Sequence, residues 1–134
     1  MAVAALFQAH AAEIRIASGE IRSSQPGVNR VSFSDDVLIH VVEPLVVHRG
    51  DLSIAPMAAE RFEVSEDLTT YHFYLREDLR FHNGELATAD HVVMNWEKVL
   101  NPATGFQCLP FFDGSSGARV VSVEAADDLT VVIR

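Results

Sequence analysis

Apolar and polar residues alternate in this chain over several short stretches, and one longer stretch has the spacing of a helix. Ile14 and Ile16 alternate with Arg15 and Ala17, which predicts a half-buried strand. Ser18 to Val28, rich in Ser, Gly and Gln and carrying Pro26-Gly27, reads as a loop. Ser34-Asp35-Asp36 supplies N-cap chemistry, and Val37, Leu38, Val41 and Val42 follow as one apolar stripe. Pro44 disfavours helical geometry at Glu43 and ends that short helix. Leu45 to His48 is then expected as a strand running into a turn at Arg49-Gly50-Asp51.

The middle of the chain reads as β-structure. Arg61 to Ser65 alternates, Glu66-Asp67 makes a tight connection, and Thr70 to Arg76 alternates again. In that second run Tyr71, Phe73 and Leu75 share one face, and Thr70, His72, Tyr74 and Arg76 the other. Two such runs joined by a few polar residues predict a hairpin. His82-Asn83-Gly84 is a second turn. The clearest helix is Ala89 to Leu100, with Thr88 as N-cap and Asp90 in the first turn, where the macrodipole favours an anion. Ala89, Val92, Val93, Trp96, Val99 and Leu100 lie on one face, and Asn101-Pro102 ends it. A loop from Ala103 to Ala118 follows. Arg119 to Ala125 and Leu129 to Arg134 read as two strands joined at Asp127-Asp128. The last strand pattern runs to the final residue, so its edge is expected to be unpaired and the chain to be part of something longer.

Composition narrows the function classes. With 134 residues, 49% hydrophobic and 22% charged, the chain is neither a disordered tail nor a membrane protein. A net charge of −9 and a single lysine, Lys98, argue against a nucleic-acid partner, because phosphate binding needs concentrated Lys and Arg. The sole cysteine, Cys108, excludes an internal disulfide and any CxxC motif. No run reaches the roughly 18 to 20 apolar residues that a membrane helix needs. Val37 to Val47 is the longest candidate, and it is broken by His40, Glu43 and Pro44. At the N-terminus, Met1 to Phe7 is apolar and Ala9-His10-Ala11 has the small-x-small form of a signal-peptidase site. Residues 1–12 therefore read either as a signal remnant or as a frayed, disordered end, and residues 13–134 as the folded part.

Catalytic signatures are missing from the sequence: it has no G-x-S-x-G elbow, P-loop, G-x-G-x-x-G or H-E-x-x-H. Gly114-Ser115-Ser116-Gly117 lacks the lysine of a phosphate loop and reads as a flexible connection. Six histidines are present, and His72, His82 and His91 fall within one short stretch. If their imidazoles converged they would make an open zinc site. Strand, turn and helix positions do not force convergence, so three unrelated histidines is the plainer reading and no metal or cofactor is assigned. Phe106, Phe111 and Phe112, with Cys108 and Pro110, sit in the loop after the helix. They form either a satellite core or the lining of a cleft, with the core reading preferred.

One stretch is more specific. Ala58 to Thr69, then Tyr71-His72-Phe73-Tyr74-Leu75-Arg76, Leu79 to Gly84 and Thr88 to Val92 resemble the signature of the peptide/nickel family of extracellular solute-binding proteins that serve ABC importers. In that family a "V-S-D-D-G-x-x-Y-x-F-x-L-R" run leads into "F-H-(D/N)-G-x-x-x-T-A-x-D-V". Glu43-Pro44-Leu45-Val46, Asn101 to Gly105 and Val123 to Val132 resemble flanking family motifs, so the resemblance spans roughly Glu13 to Arg134. Phe62 stands where the family has Trp, Leu68 replaces the Gly of the hairpin turn, and His91 replaces the Asp of a capping box. That last change is expected to remove one hydrogen bond.

The resemblance implies an α/β fold: part of the first lobe of a two-lobed periplasmic binding protein, a mixed sheet with antiparallel hairpins and short helices. It implies capture of a peptide or similar small solute in a cleft between lobes, delivery to ABC permease subunits in the membrane, and a periplasmic or extracellular location without enzymatic chemistry. It also implies that the first lobe reaches the ligand from two loops. Here these contribute Asn29, Arg30, Val31 and Ser32, and Phe106, Cys108 and Phe111. The alternative is a small stand-alone module that reuses the lobe for partner docking or regulation.

Overall fold

The computed structural model describes residues 40–134. The strand expected at Ile14 to Ile16 lies outside them, as do the 1–12 segment and the start of the short helix at Val37; His40 and Val41, where that helix would continue, form a turn. No helix of the described residues is long and apolar enough to cross a membrane.

Among the described residues two antiparallel sheets are formed. Strands β1 (Val46–His48) and β2 (Ile54–Pro56) make a small hairpin. Strands β3 (Ala59–Val64), β4 (Tyr71–Leu75), β5 (Val123–Asp127) and β6 (Thr130–Ile133) make a four-stranded sheet in the order β3-β4-β6-β5. Every pairing among the described residues is antiparallel. The one α-helix among the described residues, α1 (Ala89–Leu100), lies in the crossover from β4 to β5 and packs over β5 and β6.

Strand β6 corrects the sequence reading. Expected to end in an unpaired edge, it is an inner strand, paired with β4 on one side and β5 on the other. That is why three successive residues, Val131, Val132 and Ile133, are all buried. An inner strand covered on both faces reads as a continuous apolar run.

The core lies between this sheet and α1. Leu75, Ala89, Val131 and Ile133 form its centre, with Leu45, Phe73, Val92, Trp96, Val120, Val123 and Leu129 packed around them. Ala89 is fully buried, and its N–H donates to the Asp128 carbonyl at 2.8 Å. The first turn of α1 is thereby fastened to the β5–β6 turn, and one of the amides a helix leaves unbonded at its start is satisfied. The expected apolar face of β4 holds at Phe73 and Leu75 but not at Tyr71, which is exposed near the hairpin end.

The β3–β4 turn accommodates the residue that departs from the family pattern. Leu68 adopts φ 59°, the left-handed region, and its N–H donates to the Ser65 carbonyl. Its side chain is exposed, so burial returns little of the left-handed strain, about 1 kcal/mol for a residue with a Cβ. Leu68→Gly is therefore expected to raise stability by up to about 1 kcal/mol, less the entropy glycine costs. Chemical denaturation would show it as a higher midpoint at unchanged slope.

Aspartates organise the turns. Asp51, Asp67 and Asp113 are held below the ordinary 3.8 first by the hydroxyls of Ser53, Ser65 and Ser115, and Asp127 first by the Leu129 backbone N–H. A lowered folded value stabilises the fold fully above the ordinary value, and the contribution is lost as pH falls through the folded one. The urea midpoint should therefore hold down to about pH 5 and drop toward about pH 2, with a shallower drop in Asp67→Asn. An identical profile in that variant would remove Asp67 from the account.

Candidate functional site

Asn29, Arg30, Val31 and Ser32 lie outside the described residues. Phe106, Cys108 and Phe111 lie on the segment after α1, which is more ordered than the expected loop. Asn101 caps a short 3-10 turn, Pro102–Thr104, by accepting from the Ala103 N–H at 2.9 Å. Gly105 then takes φ 70°, and a second 3-10 turn forms at Leu109–Phe111. The Val120 N–H donates to the Phe112 carbonyl at 2.8 Å, and Asp113 pairs with Arg119 in an isolated bridge. The Gly114 N–H bonds Ala118, and the Asp113 carboxylate accepts from the Ser115 N–H. The Gly114–Gly117 stretch is thus a closed turn, and the whole segment has a fixed backbone.

The three phenylalanines divide. Phe112 meets Trp96 edge to face, with ring centroids 5.1 Å apart at 90°, and Phe106 stacks on Phe112 at 6.4 Å. These rings fasten the segment to α1 as a satellite core. Phe111 instead is 61% exposed, and Cys108 is exposed beside the same 3-10 turn. Phe111 and Phe112 are neighbours in a tight turn, so one ring faces in and the other out. The sequence shows the adjacent pair but not which ring is which. Only the packing of Trp96 decides it. What the segment offers chemically is an exposed aromatic ring and a thiol on a rigid support, suited to contact by shape and apolar area.

The histidines stay apart. His72 lies on β4 between Glu63 and Val132 of the neighbouring strands, and His82 is exposed in its turn. His91 is bound at the start of α1, and among the described residues no three His, Cys, Asp or Glu side chains form a group that could hold a metal ion. His91 also corrects the expectation of a lost cap bond. Its Nδ1 accepts from the Thr88 backbone N–H at 3.1 Å, so an imidazole nitrogen takes the role of the carboxylate. An open depression elsewhere is lined by Glu60, Arg76, Glu77 and Asp78, charged residues none of which belongs to the 106–111 segment.

Comparison with known proteins supplies the context for these features. The model of the bacterial extracellular solute-binding proteins, family 5 Middle, matches residues 53–134. The chain is 29% identical over 110 residues to the periplasmic oligopeptide-binding protein OppA of Haemophilus influenzae, covering 73% of this chain and 20% of that protein. Over 61 residues it is 41% identical to the nickel-binding periplasmic protein of Escherichia coli, covering 46% of this chain and 12% of that protein. Among solved structures, H. influenzae OppA in complex with the peptide RPPGFSPFR superposes with a TM-score of 0.76 at 27% identity, over 87% of this chain and 25% of that one. The chain thus spans about a fifth of the length of the oligopeptide-binding relative.

Proposed function

The chain belongs to the bacterial extracellular solute-binding proteins of family 5, and from that premise we propose that it contributes part of the first lobe of a protein that captures a peptide or similar small solute outside the cytoplasm for import through an ABC permease. The observation that carries the proposal is the exposed Phe111 ring on the fixed segment that follows the family's hairpin and helix. An apolar ring presented on a rigid backbone adds contact area to a ligand at little entropic cost. The reading assigns binding to the protein and bond-breaking to none of its residues. Asn29 to Ser32 would approach the ligand from the other loop. Capture itself would follow from closure of a second lobe, since most of the burial that holds a small ligand comes from enclosing it.

A graft tests this. Replacing the matching stretch of H. influenzae OppA with residues 40–134 is expected to give a folded protein that binds RPPGFSPFR by calorimetry. Phe111→Ala in the graft should weaken binding about tenfold, the scale of a buried aromatic contact. Phe112→Ala should instead lower the melting temperature, because that ring holds the segment to Trp96. A folded graft whose affinity ignores Phe111→Ala would remove this segment from the cleft.

A further inference from the structure

The junction between the turn Phe81 to Ala87 and α1 is built around one imidazole, and the bonds on that ring depend on its protonation. His91 Nδ1 lies 3.1 Å from the Thr88 backbone nitrogen and 2.9 Å from Thr88 Oγ1. On the other side of the ring, Nε2 lies 3.8 Å from the Glu85 carboxylate. The Phe81 ring meets the imidazole edge to face at 4.9 Å. One side chain therefore ties the helix start to both ends of the preceding turn.

For Nδ1 to accept from the Thr88 N–H it must carry a lone pair, which places the proton of the neutral ring on Nε2, facing Glu85. We propose that His91 is an acid-sensitive latch: protonation converts Nδ1 from acceptor to donor and releases the Thr88 amide from the helix cap. The proton on Nδ1 then points at Thr88 Oγ1, which accepts it, while the backbone N–H loses its partner. A cation in the first turn also opposes the helix macrodipole. The Glu85 carboxylate faces the opposite ring nitrogen, Nε2. The charged and titratable groups on the elements that meet here are Arg80, His82 and Glu85 from the turn, Asp90 from α1, and Asp127 and Asp128 from the β5–β6 turn, whose Asp128 carbonyl accepts from the Ala89 N–H. Among the described residues only the Glu85 carboxylate lies within ion-pairing distance of the ring, 3.8 Å from Nε2. The Arg80 guanidinium is engaged with the Gly84 carbonyl at 2.8 Å, and Asp127 with the Leu129 N–H.

The rest of the turn has bonds that do not involve the ring. Phe81 N–H donates to Glu85, Gly84 N–H to Phe81 and Ala87 N–H to Leu79. Release is therefore local to Thr88 and the first turn of α1, and it leaves the core at Leu75 and Val131 in place.

Amide hydrogen exchange on the 134-residue chain tests this between about pH 8 and pH 5, the range in which histidine charge changes. After correction for intrinsic exchange, protection at Thr88 should fall about fivefold toward pH 5, the scale of one lost cap. Protection at Val131 should stay level. His91→Asp puts an ionised acceptor at the same position, and Thr88 should then stay protected throughout. A constant Thr88 in the native chain, or an equal fall in His91→Asp, would overturn the latch. A fall at Thr88 matched by an equal fall at Val131 would also overturn it, since the whole domain would then be loosening.

Discussion

Leu75→Ala should cost this chain about 2–5 kcal/mol, the range for deleting a large buried aliphatic side chain and leaving a cavity. Leu75 is 2% exposed and sits at the centre of the cluster with Ala89, Val131 and Ile133. Its backbone is also fixed, since the Leu75 N–H donates to the Leu129 carbonyl at 2.7 Å, so the site cannot easily collapse around the gap. Domains of this size are stable by only about 5–15 kcal/mol, and a loss of that order leaves a substantial unfolded fraction. Tyr71→Ala is the control. Tyr71 shares the strand but is 37% exposed near the hairpin end, so its truncation should cost about 1 kcal/mol, the common size for a surface-edge change. Urea denaturation of both variants checks this. Equal losses would mean that the centre of the core is misplaced along β4.

Arg76→Met should cost about 2 kcal/mol, the scale of hydrogen bonds made by a charged donor, and the effect should be regional. Arg76 follows β4 directly and joins three pieces of chain. Its Nη1 donates to the Met57 carbonyl at 3.0 Å and pairs with the Glu43 carboxylate at 3.0 Å, and its own backbone N–H bonds the Ala58 carbonyl. The ion pair with Glu43 is more than a third exposed and adds little by itself. The backbone carbonyl contact is half-buried and carries most of the loss. Removing the guanidinium unfastens the segment before β1 and the β2–β3 connection from the end of β4. Hydrogen exchange should then rise at Met57 and Ala58 while Val131 keeps its protection. Arg76→Lys should rescue only part, because both contacts come from one nitrogen, Nη1, at the tip of a planar guanidinium whose position and orientation a lysine ammonium does not reproduce. Full rescue by lysine would reduce Arg76 to a point charge.

These two residues stand side by side in the Tyr-x-Phe-x-Leu-Arg run, and they explain physically why such a run recurs as a signature. Leu75 turns inward to the core, and Arg76 turns the other way to hold the neighbouring hairpin. The alternation that placed them was legible in the sequence, because a strand with period two sends successive side chains to opposite faces. The same argument located the β3–β4 hairpin and the β5–β6 pair to within a few residues. Helix α1 was legible from Thr88, its apolar stripe and the Asn101-Pro102 stop. The strand Ile54–Pro56 was not, since three residues ending in proline give too short a pattern to distinguish from a loop.

The candidate site was only partly legible. Sequence identified Phe106, Cys108 and Phe111 as belonging to one segment after the helix, but nothing in their order separates an anchoring ring from a presented one. That separation depends on Trp96, ten residues before Phe106 on another element, which receives the Phe112 ring and leaves Phe111 outward. His91 shows the same limit. Its residue type argued for a lost cap bond, whereas the rotamer that turns Nδ1 to the Thr88 amide restores it.

By itself, then, the sequence determined most of the local elements and the family, because periodicity, capping and turn chemistry act over a few neighbouring residues. Tertiary structure alone decided the order β3-β4-β6-β5. It moved the last strand from an expected edge to the middle of the sheet and buried Val131, Val132 and Ile133 on both faces. Strand order depends on contacts between residues far apart in the chain, such as Tyr71 with Ile133, and no local pattern encodes which distant partner a strand will find.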